Sequence, residues 1–110
     1  MRAWELYEGK KHVGYKVMRY ENGNLIAGAD SRQIFPSKIG SSIQMKGNGI
    51  YLGTNKQYVL DYYSGLADDE RLLTFEFDED DITTGNLTDQ QVEVSVSNAI
   101  LKNIEEFDQQ

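Results

Sequence analysis

The sequence predicts an α+β or mostly β domain built on antiparallel sheet, and three observations support this fold class. Six or so short runs are predicted to be strands, and the clearest of them alternate apolar and polar residues. A single segment has the spacing of a helix. The chain has 110 residues, the size of one domain, so residues 1–110 are expected to fold as a unit.

The strand predictions depend on which residues share a face. Residues 13–20 alternate, so Lys16 and Arg19 point to opposite sides of that strand. Asn22 and Gly23 form a turn signal that favours a hairpin with the residues after it. The predicted strands are residues 2–8, 13–20, 25–28, 50–53, 71–77, 91–97 and 99–104.

A long loop and one helix complete the prediction. Residues 28–48 are rich in glycine and serine and contain the only proline, which indicates a loop with at most short pieces of strand. Residues 55–64 are predicted to be the helix, with Thr54 as its N-cap and Gly65 as its C-terminal stop.

Four of the seven tyrosines lie in the strand–turn–helix unit around this helix. Tyr51 is on the strand and Tyr62 follows eleven residues later, on the last turn of the helix. Two interpretations stay open. The rings either pack the helix against the sheet, or they line a pocket for a flat ligand. The four residues are Tyr51, Tyr58, Tyr62 and Tyr63.

Glu93 and Gln91 lie on the polar side of a strand whose other side is valine. This pattern is typical of a solvent-facing edge strand. The alternative is that the Glu93 carboxylate points into the same cleft as the tyrosines, where it could stabilise positive charge developing on a ribose.

Charge is divided unevenly along the chain. Residues 1–60 carry nine Lys/Arg and four Asp/Glu, whereas residues 61–110 carry two and fourteen. The acidic half is either a solvated face or a surface that docks on a basic partner protein. Direct nucleic-acid binding is disfavoured because phosphate contacts need cations. The run expected to bind the partner is Asp78, Glu79, Asp80 and Asp81, which lacks the spacing of a calcium loop.

Several classes of site are disfavoured by composition. The chain has no cysteine, which excludes disulfides and thiolate metal sites. His12 is the single histidine, so neither a histidine-built zinc site nor a catalytic triad is expected. No membrane span and no signal peptide are predicted, and the cytoplasm is the expected compartment.

The stretch GNGIYLGTNKQYVLDYY resembles the signature of the ADP-ribosyltransferase superfamily, especially its poly(ADP-ribose) polymerase and diphtheria-toxin branch. In this resemblance Tyr51 matches the tyrosine of the His-Tyr-Glu triad, and Tyr62 matches a second tyrosine that stacks on nicotinamide. QVEVSVSNAILKNI is similar to the strand that delivers the glutamate, which would be Glu93, and Gln91 matches the preceding glutamine. The resemblance implies NAD as the substrate.

The same resemblance assigns the remaining candidate residues. Lys16 stands where the family has a histidine or arginine that binds the adenosine ribose or phosphates, with Arg19 as the nearest alternative cation. Val17 replaces a glycine whose backbone receives the nicotinamide amide, so its side chain is expected to crowd the cleft. Gly49, in the turn before Tyr51, is counted with the cofactor-binding residues. The implied fold is two small packed antiparallel sheets with one principal helix.

Three functions follow as expectations. Small domains encoded by bacteriophages also look like this chain, which suggests a phage or prophage origin. The first expectation is a protein that binds a host protein through its acidic surface, as an inhibitor of host defence would, without catalysis. The alternatives are an active NAD-dependent mono-ADP-ribosyltransferase that modifies a host protein or nucleic acid, and a structural accessory domain.

Overall fold

The computed structural model describes residues 11–27, 33–44, 49–62, 66–85 and 93–106. The predicted strand at residues 2–8 and the predicted helix stop at Gly65 lie outside these ranges. The elements are β1 (Lys11–Glu21), β2 (Asn24–Ala27), β3 (Gln33–Pro36), β4 (Ser42–Gln44), β5 (Ile50–Gly53), α1 (Lys56–Tyr62), β6 (Glu70–Asp78), a 3-10 turn (Glu79–Asp81), β7 (Ile82–Thr84), β8 (Glu93–Val96) and β9 (Asn98–Glu106).

The prediction of two small packed sheets with one principal helix is wrong. Within the described ranges, nine strands form one sheet in the order β4-β9-β6-β1-β5-β8-β7, with the β2–β3 hairpin branching from β1. The pairing of these strands is antiparallel, as expected. Helix α1 has only seven residues.

The length of β1 is the reason that the sheet does not divide into two. One edge of this eleven-residue strand pairs with β6 continuously, from Lys11 opposite Asp78 to Arg19 opposite Glu70. The other edge is shared, because β5 pairs at Tyr15 and β2 pairs from Arg19 onward. Because β1 is long enough to pair with both β5 and β2, its backbone hydrogen bonds join the two halves of the structure in one sheet.

The hairpin between β1 and β2 follows from its turn residues. Asn22 and Gly23 have φ angles of 53° and 82°, the left-handed values that a two-residue type I′ turn requires. Part of the predicted loop at residues 28–48 is strand. There β3 pairs with β2, and β4 forms the edge beside β9.

The main hydrophobic core lies on one face of a curled sheet. Ile43 of β4 and Val96 of β8 come from near opposite ends of the strand order, yet they belong to the same buried cluster. The sheet therefore wraps around this core, which also contains the alternating residues of β6 that the sequence predicts. Those residues are Leu73, Phe75 and Phe77.

A second, smaller cluster holds α1 against the other face of the sheet. Val59 packs there with Val17 of β1 and Leu72 of β6. The helix approaches so closely that a Cβ atom added to Gly53 would lie 2.2 Å from Val59 Cγ2. Only glycine at this position leaves room for the helix, so Gly53 sets the distance between α1 and β5.

Asn55 caps the start of α1, so the prediction of Thr54 as the cap is wrong. The Asn55 side-chain oxygen accepts a hydrogen bond from the Tyr58 backbone N–H at 3.0 Å, and the Val59 N–H donates to the Asn55 carbonyl at 3.2 Å. An ion pair of 2.9 Å between Lys56 and Glu105 adds a surface contact between the helix and β9.

The contact between Gly53 and Val59 gives a stability prediction. We expect Gly53→Ala to lower the free energy of unfolding by about 1–3 kcal/mol, because the added methyl overlaps a β-branched side chain that has little freedom to rotate. Urea unfolding followed by circular dichroism measures this change.

Val59→Ala supplies the matching control. It removes the overlapping methyl, so Gly53→Ala should be less harmful in the Val59→Ala background, with a coupling of about 0.5–3 kcal/mol. Additive effects of the two substitutions would contradict the proposed overlap.

Candidate binding cleft

The sheet is split along one edge of β1. On that edge β5 is paired at Tyr15 and β2 is paired from Arg19, so neither strand is registered against residues 16–18. Alternation along β1 directs the backbone N–H and C=O of Val17 toward this split. Helix α1 lies across the same region through Val59. The split and the helix together form a half-open cleft.

We call this feature the tyrosine cleft. Three of its tyrosines expose large fractions of their surface, 44% for Tyr51, 45% for Tyr58 and 74% for Tyr62. The buried helix residue that packs against the sheet is Val59, while these three rings remain partly or largely exposed. Tyr63 lies outside the described residues. The cleft is lined by Tyr15, Lys16, Val17, Tyr51, Gly53, Tyr58, Val59, Tyr62 and Glu93.

Strand register explains why Tyr51 and Glu93 are on the helix side of the sheet. Tyr15 is opposite Gly53, and Gly53 is opposite Glu93. Residues directly opposite in antiparallel strands share a face, and residues two apart on a strand also share one. Tyr51 therefore lies on the same face as these three residues, which is the face covered by α1.

Lys16 reaches the cleft from the other side. It alternates with Tyr15 and Val17, so its Cβ starts on the face of the main core, the same face as the buried Met18. Its amine nevertheless ends at the split, where Nζ donates a long hydrogen bond of 3.4 Å to the backbone carbonyl of Tyr51. Lys16 thus joins the two strands where the backbone ladder between them stops.

The protonation of Lys16 responds to this environment. Burial lowers the pKa of the Lys16 amine below its ordinary value of 10.5, because the charged form loses water. The Glu93 carboxylate acts in the opposite direction and raises the same pKa, but burial is the larger effect. The net result favours an uncharged amine more than at an exposed lysine.

The size of the cleft limits what it can enclose. Its volume is about 200 Å³. A cavity of ~150 Å³ holds a benzene ring, whereas pockets for drug-sized ligands have ~300–1,000 Å³. The tyrosine cleft therefore fits one ring-sized group flanked by tyrosines, and a lysine and a carboxylate are among its lining residues.

The structure brings together four of the sequence-predicted site residues. Lys16, Tyr51, Tyr62 and Glu93 all line the cleft, although they come from four different elements. The sequence predicts that the Val17 side chain crowds the cleft. In the structure this buried side chain packs with Val59 and Leu72 and forms an apolar wall of the cleft.

Other predicted residues lie elsewhere. Arg19 is on the part of β1 paired with β2, and its guanidinium is 3.8 Å from the Glu21 carboxylate. Gly49 has a structural function, because its φ is 89° and an added Cβ would lie 2.4 Å from the Val96 carbonyl oxygen. Gln91 lies outside the described residues.

Two residues of the acidic run Asp78–Asp81 form contacts within the fold. Asp78 forms a 3.2 Å ion pair with Lys11. Asp81 accepts a hydrogen bond from the Asp78 backbone N–H at 3.4 Å, and its carbonyl accepts one from the Ser97 N–H at 2.9 Å. Glu79 and Asp80 are exposed beside these contacts.

Strand direction separates the acidic residues of the second half of the chain. Glu70 and Asp78 are at opposite ends of β6, roughly 27 Å apart at ~3.4 Å per residue. Glu106 pairs with Arg71 at the Glu70 end, far from the Asp78–Asp81 run. Glu70 and Glu106 therefore lie at one end of β6, and the Asp78–Asp81 run lies at the other.

β8 is an interior strand, so the prediction of a solvent-facing edge is wrong. It lies between β5 and β7, and Ser95 on its polar side is almost completely buried. Sequence analysis also missed Tyr15, Gly53 and Val59 as lining residues. A usable signal for Tyr15 was its position on the same strand face as Val17, but Gly53 gives no chemical signal in the sequence.

None of the described helices has the length and apolar character needed to span a bilayer. Likewise, the described part of the chain contains no cluster of three or more histidine, cysteine or acidic side chains suited to a metal ion.

Comparison with known proteins found no family model, no curated protein and no solved structure that matches the chain. The relationship to ADP-ribosyltransferases consequently stays a prediction from the sequence motifs.

The pKa of Lys16 gives a pH prediction. Its folded-state pKa is below 10.5, so the unfolded chain binds more protons and stability rises with pH between the folded pKa and 10.5. Lys16→Met removes this group. We expect the variant to show a smaller rise in the free energy of unfolding from about pH 7 to about pH 10.5. Identical pH dependence in the two proteins would show that Lys16 does not carry it.

Asp81 and Asp80 provide a matched pair in the 3-10 turn. We expect Asp81→Ala to lower the free energy of unfolding by about 0.5–2 kcal/mol, because it removes an acceptor for a backbone N–H. The exposed Asp80→Ala should change it by less than about 0.5 kcal/mol. Urea unfolding of both variants tests this difference, and equal effects would contradict the structural assignment of Asp81.

Proposed function

We propose that this chain is a binding domain that uses the tyrosine cleft to hold a flat group presented by a partner protein, without catalysing a reaction. The observation that carries this proposal is the exposure of Tyr51, Tyr58 and Tyr62 around one cleft. Tyrosine is enriched at protein interfaces because its ring gives a large contact area and its hydroxyl forms hydrogen bonds. Aromatic rings grouped around one cleft are typical of a site that binds a ligand or a partner.

The chemistry of the cleft favours a flat, polar group. Lys16 supplies a hydrogen-bond donor, and the Glu93 carboxylate supplies an acceptor. The tyrosine rings provide faces for stacking. An amide, guanidinium or aromatic side chain of a partner has this combination of a flat shape and polar edges, and it matches the volume of about 200 Å³.

Charge supports a basic partner. The net charge is −7, and the exposed Glu79 and Asp80 extend from one end of the sheet. Such charges increase the association rate with a basic protein without contributing much affinity. In line with the resemblance to phage-encoded domains, we propose a bacterial host protein as the partner.

Substitutions in the cleft test the binding proposal. We expect Tyr51→Ala and Tyr62→Ala each to weaken partner binding by roughly 1 kcal/mol or more, as at other interface tyrosines. Tagged wild-type protein is used to capture partners from a bacterial lysate, and the affinity of the purified partner is then measured for each variant.

Ile39→Ala is the matched control, since Ile39 is 51% exposed and is not among the residues that line the cleft. It should bind like the parent protein. Equal binding by the parent, the cleft variants and the control would contradict the proposal and favour a structural accessory domain.

The second candidate is NAD-dependent ADP-ribosyl transfer. It is favoured by the convergence of Lys16, Tyr51, Tyr62 and Glu93, the residues that the resemblance assigns to NAD. The small volume of the cleft and the replacement of the family glycine by Val17 favour binding over catalysis. A dinucleotide would have to lie mostly outside the cleft.

Calorimetric titration of NAD separates the two candidates. We expect no measurable heat and no NAD consumption from the parent protein. Heat with the parent that is lost in Glu93→Ala, with the circular dichroism spectrum unchanged, would contradict the binding proposal and support the transferase.

A further inference from the structure

Lys16 lines the tyrosine cleft and brings to it an amine, a group that can do more than donate a hydrogen bond to a flat ligand. Its stem starts on the face of the main core, between the buried positions Gly14 and Met18. Its amine is held at the split in the sheet by the Tyr51 carbonyl. A lysine whose Cβ starts on the core face and whose amine lies at an open cleft can be reached from solvent.

We propose that Lys16 is a nucleophilic amine that forms an imine with an aldehyde carried on a single flat ring. This activity goes beyond the binding of a partner side chain. It uses the same cleft but needs no partner protein.

The position of Lys16 satisfies the first requirement of this chemistry, because its amine lies at the cleft, where a carbonyl carbon can reach it. Lysines are activated as nucleophiles when burial disfavours the ammonium form. Burial acts in this direction on Lys16 and lowers the pKa of its amine. β6 places Leu73 opposite Lys16, so no charged side chain faces it from that strand position.

The titratable groups that line the cleft with Lys16 come from four elements. Glu93 on β8 raises the pKa of Lys16. The others are tyrosines, with Tyr15 on β1, Tyr51 on β5, and Tyr58 and Tyr62 on α1. Glu93 is the carboxylate among the residues that line the cleft, and a carboxylate is a group that can accept and return protons as an imine forms.

The reaction is balanced without a further reagent. The Nζ lone pair attacks the carbonyl carbon, and a C–N bond forms. The carbonyl oxygen takes both protons of the amine and leaves as water, so a C=N bond remains. The tyrosine rings hold the flat substituent of the aldehyde, and the volume of about 200 Å³ limits that substituent to one ring.

Reductive trapping tests this inference on the unmodified protein. Folded protein is incubated near neutral pH with benzaldehyde and cyanoborohydride, which fixes the imine as a stable amine, and labelled lysines are identified by peptide mass spectrometry. At low conversion we expect most of the label on Lys16 and little on the exposed Lys38 and Lys102. Lys16→Arg should lose that label and leave the labelling of the other lysines unchanged.

Two comparisons distinguish a built site from general lysine reactivity. In protein unfolded by urea, the preference for Lys16 should disappear, because both the burial and the cleft are lost. With pyrenecarboxaldehyde, whose four fused rings exceed the cleft, the folded protein should lose its preference for Lys16. The inference is overturned if Lys16 stays unlabelled by benzaldehyde while Lys38 reacts. It is equally overturned if folded and unfolded proteins give the same distribution of label.

Discussion

The split edge of β1 is the constraint on which the rest of the structure depends. The strand is paired continuously with β6 on one side, but its other side is shared between β5 and β2. The two partners leave residues 16–18 between them without a registered strand. A β-sheet with such a gap needs other groups to close it, and here a helix and a lysine side chain do so.

The groups that close the gap also give it its chemistry. Val59 and Val17 seal the helix side with apolar contacts, which require Gly53 to have no side chain. Tyr58 and Tyr62 then extend past the seal and remain exposed. Lys16 approaches from the core side, where burial disfavours its charge and Glu93 partly restores it. The apolar packing of α1 and the partial burial of the Lys16 amine therefore both occur where the backbone hydrogen bonding between β1 and its neighbouring strands is interrupted.

The same strand geometry decides where charge is placed. Acidic residues are concentrated in the second half of the sequence, but β6 carries them to both of its ends. Asp78 and Asp81 form local contacts there, while Glu79 and Asp80 remain exposed. The acidic character of the domain is therefore suited to long-range attraction of a basic partner, and the tyrosine cleft is the feature with the shape of a contact site.

The sequence by itself determined the local features, because these depend on neighbouring residues. The Asn22–Gly23 hairpin, strand β5, most of helix α1 and the apolar face of β6 could all be predicted from turn chemistry and periodicity. Only the tertiary structure decided that the strands form one sheet, that β8 is interior and that the tyrosines are exposed. These outcomes depend on which strands pair with the edges of β1 and on the contact between Gly53 and Val59. The periodicity and composition of the sequence would be the same whether the strands formed one sheet or two.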